Sequence, residues 1–323
     1  MFQNNAQVKR NNANIIKKAM KLKGTATKND IMKITGLSFA TCSNLINEMV
    51  KTGEIEVCSE MLPNGTGRPS YAYQLNTEFK VILAIFAEQL DGTKWIRTII
   101  SDLYGEVIEE RSEKCEVMNY EKIRNLIGKI IEKYSNIGVI GISVQGVVSR
   151  DGVVILCDTS ELEGENLAQK LERDFSVCAV CENDMNVIAY GVSQWEELGE
   201  DGSVAAIAKY KGLPSGSGLV LEGRILHGST NFAGEVSFIP KEENCSDIDN
   251  LVKEMISIIS VINPGIIAIV GDISLKENLS VIKEKIGKVI PAVHCPEIIY
   301  LDEPFAYARK GLMELALKKM EDE

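Results

Sequence analysis

Five side chains near the amino terminus have the types and spacing needed to read a nucleic acid: Ser38, Phe39, Thr41, Ser43 and Asn44. They crowd into the first turns of one predicted helix. Small polar groups there let a helix approach a major groove closely and still donate or accept hydrogen bonds. Arg68 follows in Gly65-Thr66-Gly67-Arg68-Pro69, a glycine-rich tip from which a guanidinium can enter a minor groove. Two plainer roles stand beside these: Thr41 as a surface spacer, and Arg68 as an anchor for its own hairpin. Cys178 and Cys181 have the spacing of a metal or redox pair, but their apolar, strand-like SVCAVC context and the lack of a second pair favour buried thiols.

The elements that must position these residues follow from periodicity and punctuation. Residues 13–22 place Ile15, Ile16, Ala19, Met20 and Leu22 at helical spacing, and Lys23-Gly24 ends the run. Thr27, with Asp30 three residues on, starts a second helix that carries Ile31, Met32 and Ile34 to Gly36. A third begins at Ser38 as N-cap, gathers Leu45, Ile46 and Met49 on one face, and stops at Thr52-Gly53. Two short helices joined by Thr35-Gly36-Leu37 predict a helix-turn-helix. Residues 54–58 and 71–75 read as strands around the glycine tip, a wing.

Charge separates this segment from the rest. Residues 1–76 hold ten basic and five acidic side chains, a net +5, whereas the whole chain of 323 residues carries −11. The remainder is therefore at −16, which argues against a protein that wraps nucleic acid over its whole surface and for a basic head on an acidic body. With 45% hydrophobic and 25% charged residues the chain is that of a folded globular protein, and its length suggests about two domains. No signal-type start and no apolar run of membrane-spanning length is present, so a cytoplasmic protein with no membrane partner is expected. Its eight scattered cysteines are expected to be reduced.

From Phe79 onward strands and helices alternate in the order βββαβαβα, and from residue 204 the same order recurs. This predicts an α/β body of two similar layered lobes with a cleft between them. The expected division is 1–76 for a winged helix-turn-helix, 77–200 for the first lobe and 201–323 for the second.

Seven segments in order carry a resemblance: GLSFATCSNLINEMVKTGEI with GTGRPSYAYQLN, then SDLYGEVI, GISVQGVV, CENDMNVIAYG, SGSGLVLEGRILHG and AGEVSF. The chain resembles the ROK family of repressors, open reading frames and sugar kinases. That resemblance implies duplicated actin-like, hexokinase-type (ribonuclease H-like) lobes, a sugar pocket in the cleft, and a homodimer or higher homo-oligomer. It also implies ligand contacts at Asn183, Asp184, Glu235 and the Gln145-Gly146 loop. Asp184 matches the base that in the family's kinases takes a proton from the attacking sugar hydroxyl. A carboxylate can serve as general base or simply accept hydroxyl hydrogen bonds; the competing reading of Asp184 is a helix N-cap.

The chain departs from the family's kinases in three places. Phe238 stands where the AGEIGH pattern has its zinc-binding His, and only Cys245 follows, so no metal is expected. The first phosphate loop is reduced to Ala87-Glu88-Gln89-Leu90-Asp91-Gly92-Thr93, where carboxylates would repel a triphosphate. Val270-Gly271-Asp272 replaces a glycine pair on the adenosine side, although residues 212–218 keep several glycines. Together these predict a non-catalytic regulator without a cofactor, binding double-stranded operator DNA under control of a sugar-like effector. The alternative is an active ATP-dependent sugar kinase with a regulatory DNA-binding head.

Overall fold

The computed structural model describes residues 5–61, 70–90, 92–194, 202–240 and 245–322. They group into two compact units. The first takes Met1–Val81 with Asp102–Glu106, and the second takes Ile82–Ser101 with Val107–Glu323.

In the first unit the order is α1 (Asn5–Lys23), β1 (Ala26–Thr27), α2 (Lys28–Thr35), α3 (Phe39–Thr52), β2 (Ile55–Met61) and β3 (Ser70–Leu75). Helix α2 starts where Thr27 and Asp30 cap each other reciprocally: the Asp30 amide donates to Thr27 Oγ1 at 3.2 Å and the Thr27 amide to Asp30 Oδ2 at 2.9 Å. The hydrogen bond from Lys23, helped by those from Thr27, holds the Asp30 carboxyl down at about 2. Gly36 and Gly53 end α2 and α3 in the left-handed region, at φ 70° and 89°, where a side chain would be strained. Ile16, Met20, Ile31, Cys42, Leu45, Ile46 and Met49 form the core of the three helices, closed by Ile55 and Leu75 of the sheet.

Two features exceed the sequence expectation. Helix α1 begins eight residues earlier than the apolar period suggests, because the Asn-, Lys- and Arg-rich start tolerates helix without burying a stripe. The sheet has a third strand, β1, whose two residues pair with β3 through Ala26↔Tyr73 and are too few to show a period. The glycine tip, including Arg68, lies outside the described residues, as does Asp91.

The second unit contains two five-stranded sheets. One uses β4 (Val81–Leu90), β5 (Thr93–Asp102), β6 (Val107–Cys115), β7 (Ile137–Val144) and, beyond the hairpin β8 (Gly146–Val148) and β9 (Val154–Cys157), β10 (Cys178–Asn183). Its order is β10-β7-β4-β5-β6. Helices α4 (Tyr120–Lys133) and α5 (Leu167–Phe175) punctuate it, and α6 (Asp184–Ser193) follows it. The other sheet uses β11 (Val204–Lys209), β12 (Gly216–Leu221), β13 (Arg224–Ile225), β14 (Ile266–Gly271) and β15 (Glu297–Tyr300), in the order β13-β12-β11-β14-β15. Helices α7 (Asp247–Ile262), α8 (Ile273–Glu277), α9 (Leu279–Gly287) and α10 (Pro304–Asp322) belong to this half of the sequence. Counted from the first strand of each half, both sheets read third, second, first, fourth, fifth. The hairpin β8–β9 interrupts only the first half.

Helix α6 joins the halves and shows how tightly. Every residue from Met185 to Ser193 is buried, in contact with β12 on one side and α10 on another. A Cβ on Gly218 would lie 2.1 Å from the Met185 carbonyl oxygen, and one on Gly311 2.0 Å from that of Val187. Glycine is required at both, since backbone meets backbone. Helix α10 packs on β7 and β10 although it belongs to the sequence segment of the second half. The helix expected over 185–198 is seen to Ser193, and residues 195–198 lie outside the described set. Among the described residues no helix is long and apolar enough to cross a membrane.

Candidate functional site

Two helix starts carry most of the residues singled out by the sequence, one in each unit. At the start of α3, Ser38 caps the helix: its Oγ accepts from the Thr41 amide at 3.1 Å and shares a 2.8 Å hydrogen bond with Thr41 Oγ1. These two hydroxyls thus engage each other. Phe39 and Asn44 are exposed, the former at 49%, so an aromatic edge and an amide remain available on the surface. Ser43 accepts from Lys28 Nζ at 3.1 Å, and Asn47 Oδ1 accepts from the same ammonium at 2.6 Å. Lys28 also lies 5.3 Å from the centre of the Tyr73 ring. A fixed positive charge therefore stands beside the face of α3 that carries Ser43 and Asn47. Sequence reasoning missed Lys28 and Asn47. The available signal was weak: Asn47 is one turn beyond Ser43, and Lys28 opens the preceding helix.

The second site is built at the carboxyl ends of parallel strands, where open α/β sheets leave a crevice. Strand β7 ends before Gln145, β10 ends at Asn183, β11 before Tyr210 and β14 before Asp272. Gln145 Oε1 accepts from the Gln89 amide at 2.6 Å, and its carbonyl accepts from the Asp158 amide at 3.0 Å. Gly146 must be glycine: a Cβ would sit 2.0 Å from the Leu156 carbonyl of the paired strand β9. Asn183 is the N-cap of α6, its Oδ1 accepting from the Asn186 amide at 2.9 Å while its Nδ2 donates to the Gly146 carbonyl at 2.9 Å. The capping role weighed for Asp184 thus falls one residue earlier, because β10 runs through Asn183 and leaves Asp184 as the first helical residue.

Asp184 keeps part of its surface open yet lies deep enough that burial raises its carboxyl to about 7, with the negative charges of Asp158 and Glu88 adding to the rise. Burial raises Asp158, Glu88 and Glu235 as well. Tyr210, from the second sheet, is raised first by burial and then by Asp184, with smaller effects from Asp272 and Glu88, which places the ends of both sheets around this one carboxylate. The carboxylates acting on Asp184 are Asp158 and Glu88, two residues the motif comparison did not single out as ligand contacts. Among the described residues Glu88 finds only Arg97 Nη2, at 3.9 Å, and that guanidinium is stacked 3.7 Å above Phe305.

The arrangement suits a hydroxyl-bearing ligand. At a value near neutrality Asp184 both donates and accepts hydrogen bonds, as a sugar hydroxyl requires. A nucleotide triphosphate would meet the negative charges of Asp158 and Glu88 there. Strand β4 ends at Leu90 and β5 begins at Thr93, and Glu88, near the end of β4, adds a negative charge at this site. Gly216 and Gly218 lie within strand β12, and Gly218 is taken up by the contact with Met185. Phe238 is 64% exposed with its ring 5.0 Å from Phe232, and among the described residues no three His, Cys, Asp or Glu side chains converge to hold a metal. The thiols of Cys157 and Cys181 are raised by burial, the former to about 11, and Cys178 donates to the Gly138 carbonyl at 3.2 Å.

Residues 90–247 match the ROK family. The xylose repressor of Caldicellulosiruptor bescii is 29% identical over 217 residues, 64% of this chain and 52% of that protein. The xylose repressor of Bacillus subtilis is 20% identical over 246 residues, 73% and 62% of the two chains. The chain thus spans between about half and three-fifths of these repressors. An N-acetyl-D-glucosamine kinase of Vibrio cholerae is 28% identical over 160 residues, about half of each chain. Among solved structures, a ROK family transcriptional regulator homologous to the Escherichia coli MLC protein shares the fold over 98% of this chain and 100% of its own, at a TM-score of 0.76 and 16% identity. A ROK hexokinase from Thermus thermophilus covers 74% of this chain and 99% of its own, at a TM-score of 0.58 and 16% identity. The chain therefore carries a ROK family domain across residues 90–247.

Proposed function

We propose that the protein is a sugar-responsive transcriptional repressor that binds operator DNA through a winged helix-turn-helix at residues 1–76 and senses its effector in the body. The single observation that carries this reading is the open, uncharged start of α3 beside Lys28, in a chain whose fold follows a ROK transcriptional regulator over 98% of its length. Phe39, Ser43 and Asn44 face base edges, Ser38 and Thr41 hold the helix start, and Arg68 at the wing tip reaches the minor groove. Residues 77–200 and 201–323 act as the two lobes. The effector is held by Asn183, Asp184, Glu235 and the Gln145-Gly146 loop, and the protein works in the cytoplasm as a homodimer or higher homo-oligomer. Effector binding and DNA binding are then coupled reciprocally, by about 1–3 kcal/mol.

The test is a mobility-shift titration of the full chain on its own upstream DNA at low salt, with and without a panel of monosaccharides. Retardation that a sugar reverses supports the reading; no retardation at any protein concentration ends it. The alternative of an ATP-dependent sugar kinase with a regulatory head draws on one observation, the near-neutral proton of Asp184, which would suit a general base. Against it stand the carboxylates Glu88 and Asp158 beside that residue. Sugar-dependent release of ADP, abolished by Asp184→Asn, would establish the kinase instead.

A further inference from the structure

Away from the residues just discussed, a cavity of about 490 Å³ opens where the tip of the β8–β9 hairpin, the end of β10 and the loop after β13 come together. Its polar lining is Ser149, Arg150, Glu182, His227 and Asn231. None of Gln145, Gly146, Asn183, Asp184 or Glu235 lines it.

Glu182 brings negative charge into this wall, but that charge is already spent. Its Oε1 accepts from the Asn183 amide and from Asn186 Nδ2, both at 2.9 Å, and its Oε2 accepts from His227 Nε2 at 2.7 Å. Only 8% of Glu182 is exposed, so the carboxylate is buried and satisfied by three donors. The bond to Glu182 favours the protonated imidazole, raising His227 above its ordinary value against the opposing effect of burial. With Nε2 committed, the ring has Nδ1–H left to donate. Arg150 differs from the other charged groups of the wall: no ion pair or hydrogen bond holds its side chain among the described residues. Asp151, its neighbour in the chain, does not line the cavity. The wall therefore offers a planar guanidinium, an imidazole N–H, an amide and a hydroxyl, with its one carboxylate neutralised from within.

We propose that this cavity is a second small-molecule site, taking an oxyanion, the carboxylate or phosphate group of a metabolite, on Arg150 and His227. The Arg150 guanidinium matches such a group in geometry and charge, and the His227 Nδ1–H adds a directed donor. The opposite holds around Asp184, where the charges of Asp158 and Glu88 repel anions. The two sites thus divide ligands by charge, uncharged hydroxyl-rich molecules at one and anions at the other. A ligand bridging the hairpin tip of the first half and the His227 loop of the second would hold the halves together, as the Glu182–His227 bond already does.

The test is calorimetry on the full chain with inorganic phosphate in one arm and citrate in the other, at fixed ionic strength with chloride as the matched control. Saturable binding of either anion, weakened at least tenfold by Arg150→Gln and unchanged by Asp184→Asn, supports the proposal; the arm that saturates names the chemistry. Arg150 is exposed, so this variant keeps its fold. His227→Gln, which retains a donor for Glu182, should weaken the same anion. No saturable binding in either arm overturns the proposal, as does binding that Arg150→Gln leaves intact. Loss of anion binding in Asp184→Asn would assign the anion to the other site and also overturn it.

Discussion

Helices α3 and α6 start in the same way and are put to opposite uses. Each follows an extended residue with a small polar side chain that caps the third amide on, Ser38 for Thr41 and Asn183 for Asn186. At α3 the cap stands in the open beside Phe39 and Asn44, and Lys28 supplies a positive charge. At α6 the next residue is a carboxylic acid sunk among other acids, on a helix gripped from two sides by backbone. One local device thus yields a surface suited to an anionic polymer and a pocket hostile to one. Burial and neighbouring charge decide between them.

The largest effect that would sharpen this contrast is expected at the grip on α6. Gly218→Ala or Gly311→Ala drives a methyl group into a carbonyl oxygen that cannot retreat, and should cost about 3 kcal/mol or more or prevent folding. Thermal unfolding reads this directly, and a variant with unchanged Tm would show that α6 is not locked. At α3 the effect should fall on binding and not on stability. Asn44→Ala is expected to weaken specific DNA binding about tenfold to hundredfold while Tm stays constant, since the side chain is exposed. An unchanged preference for operator over unrelated DNA in the variant would take Asn44 out of the reading face.

A smaller, pH-dependent effect belongs to Asp184. Its folded value of about 7 lies above the ordinary carboxyl value of 3.8, so the folded protein holds a proton there that the unfolded chain gives up, and stability falls as pH rises between those values. Asp184→Asn removes that loss. It should stabilise the protein more at pH 8 than at pH 5, by about 2–3 kcal/mol, or several degrees in Tm. An equal gain at both pH values would mean that Asp184 titrates normally. The same variant should no longer release DNA on addition of sugar. The smallest effect concerns the caps: Ser38→Ala is expected to cost about 1 kcal/mol, and Asn183→Ala somewhat more because it also gives up the bond to Gly146. Chemical denaturation of the two variants ranks them, and the reverse order would undo the distinction between an open and a buried cap.

The alternation of strands and helices was visible along the chain, because apolar period, N-caps and terminating glycines are local properties. Thr27 with Asp30, Ser38, Gly36 and Gly53 announced α2 and α3 with no need of a third dimension. The strand β1 and the β8–β9 hairpin escaped notice, being too short to leave a period. The site was visible only in part. Asn183 and Asp184 were marked by their motif, but which of them caps the helix depends on where β10 stops.

The succession of elements and the polarity of the two parts, basic at the front and acidic behind, follow from composition and short-range pattern alone. The company each charge keeps is set by the fold. Glu88 and Asp158 come to press on Asp184, His227 and Asn186 come to satisfy Glu182, and Lys28 is held over α3 by Ser43 and Asn47. These partners are between 4 and 96 residues apart in the chain, and a charge's effect depends on distance and burial, which chain position alone does not fix.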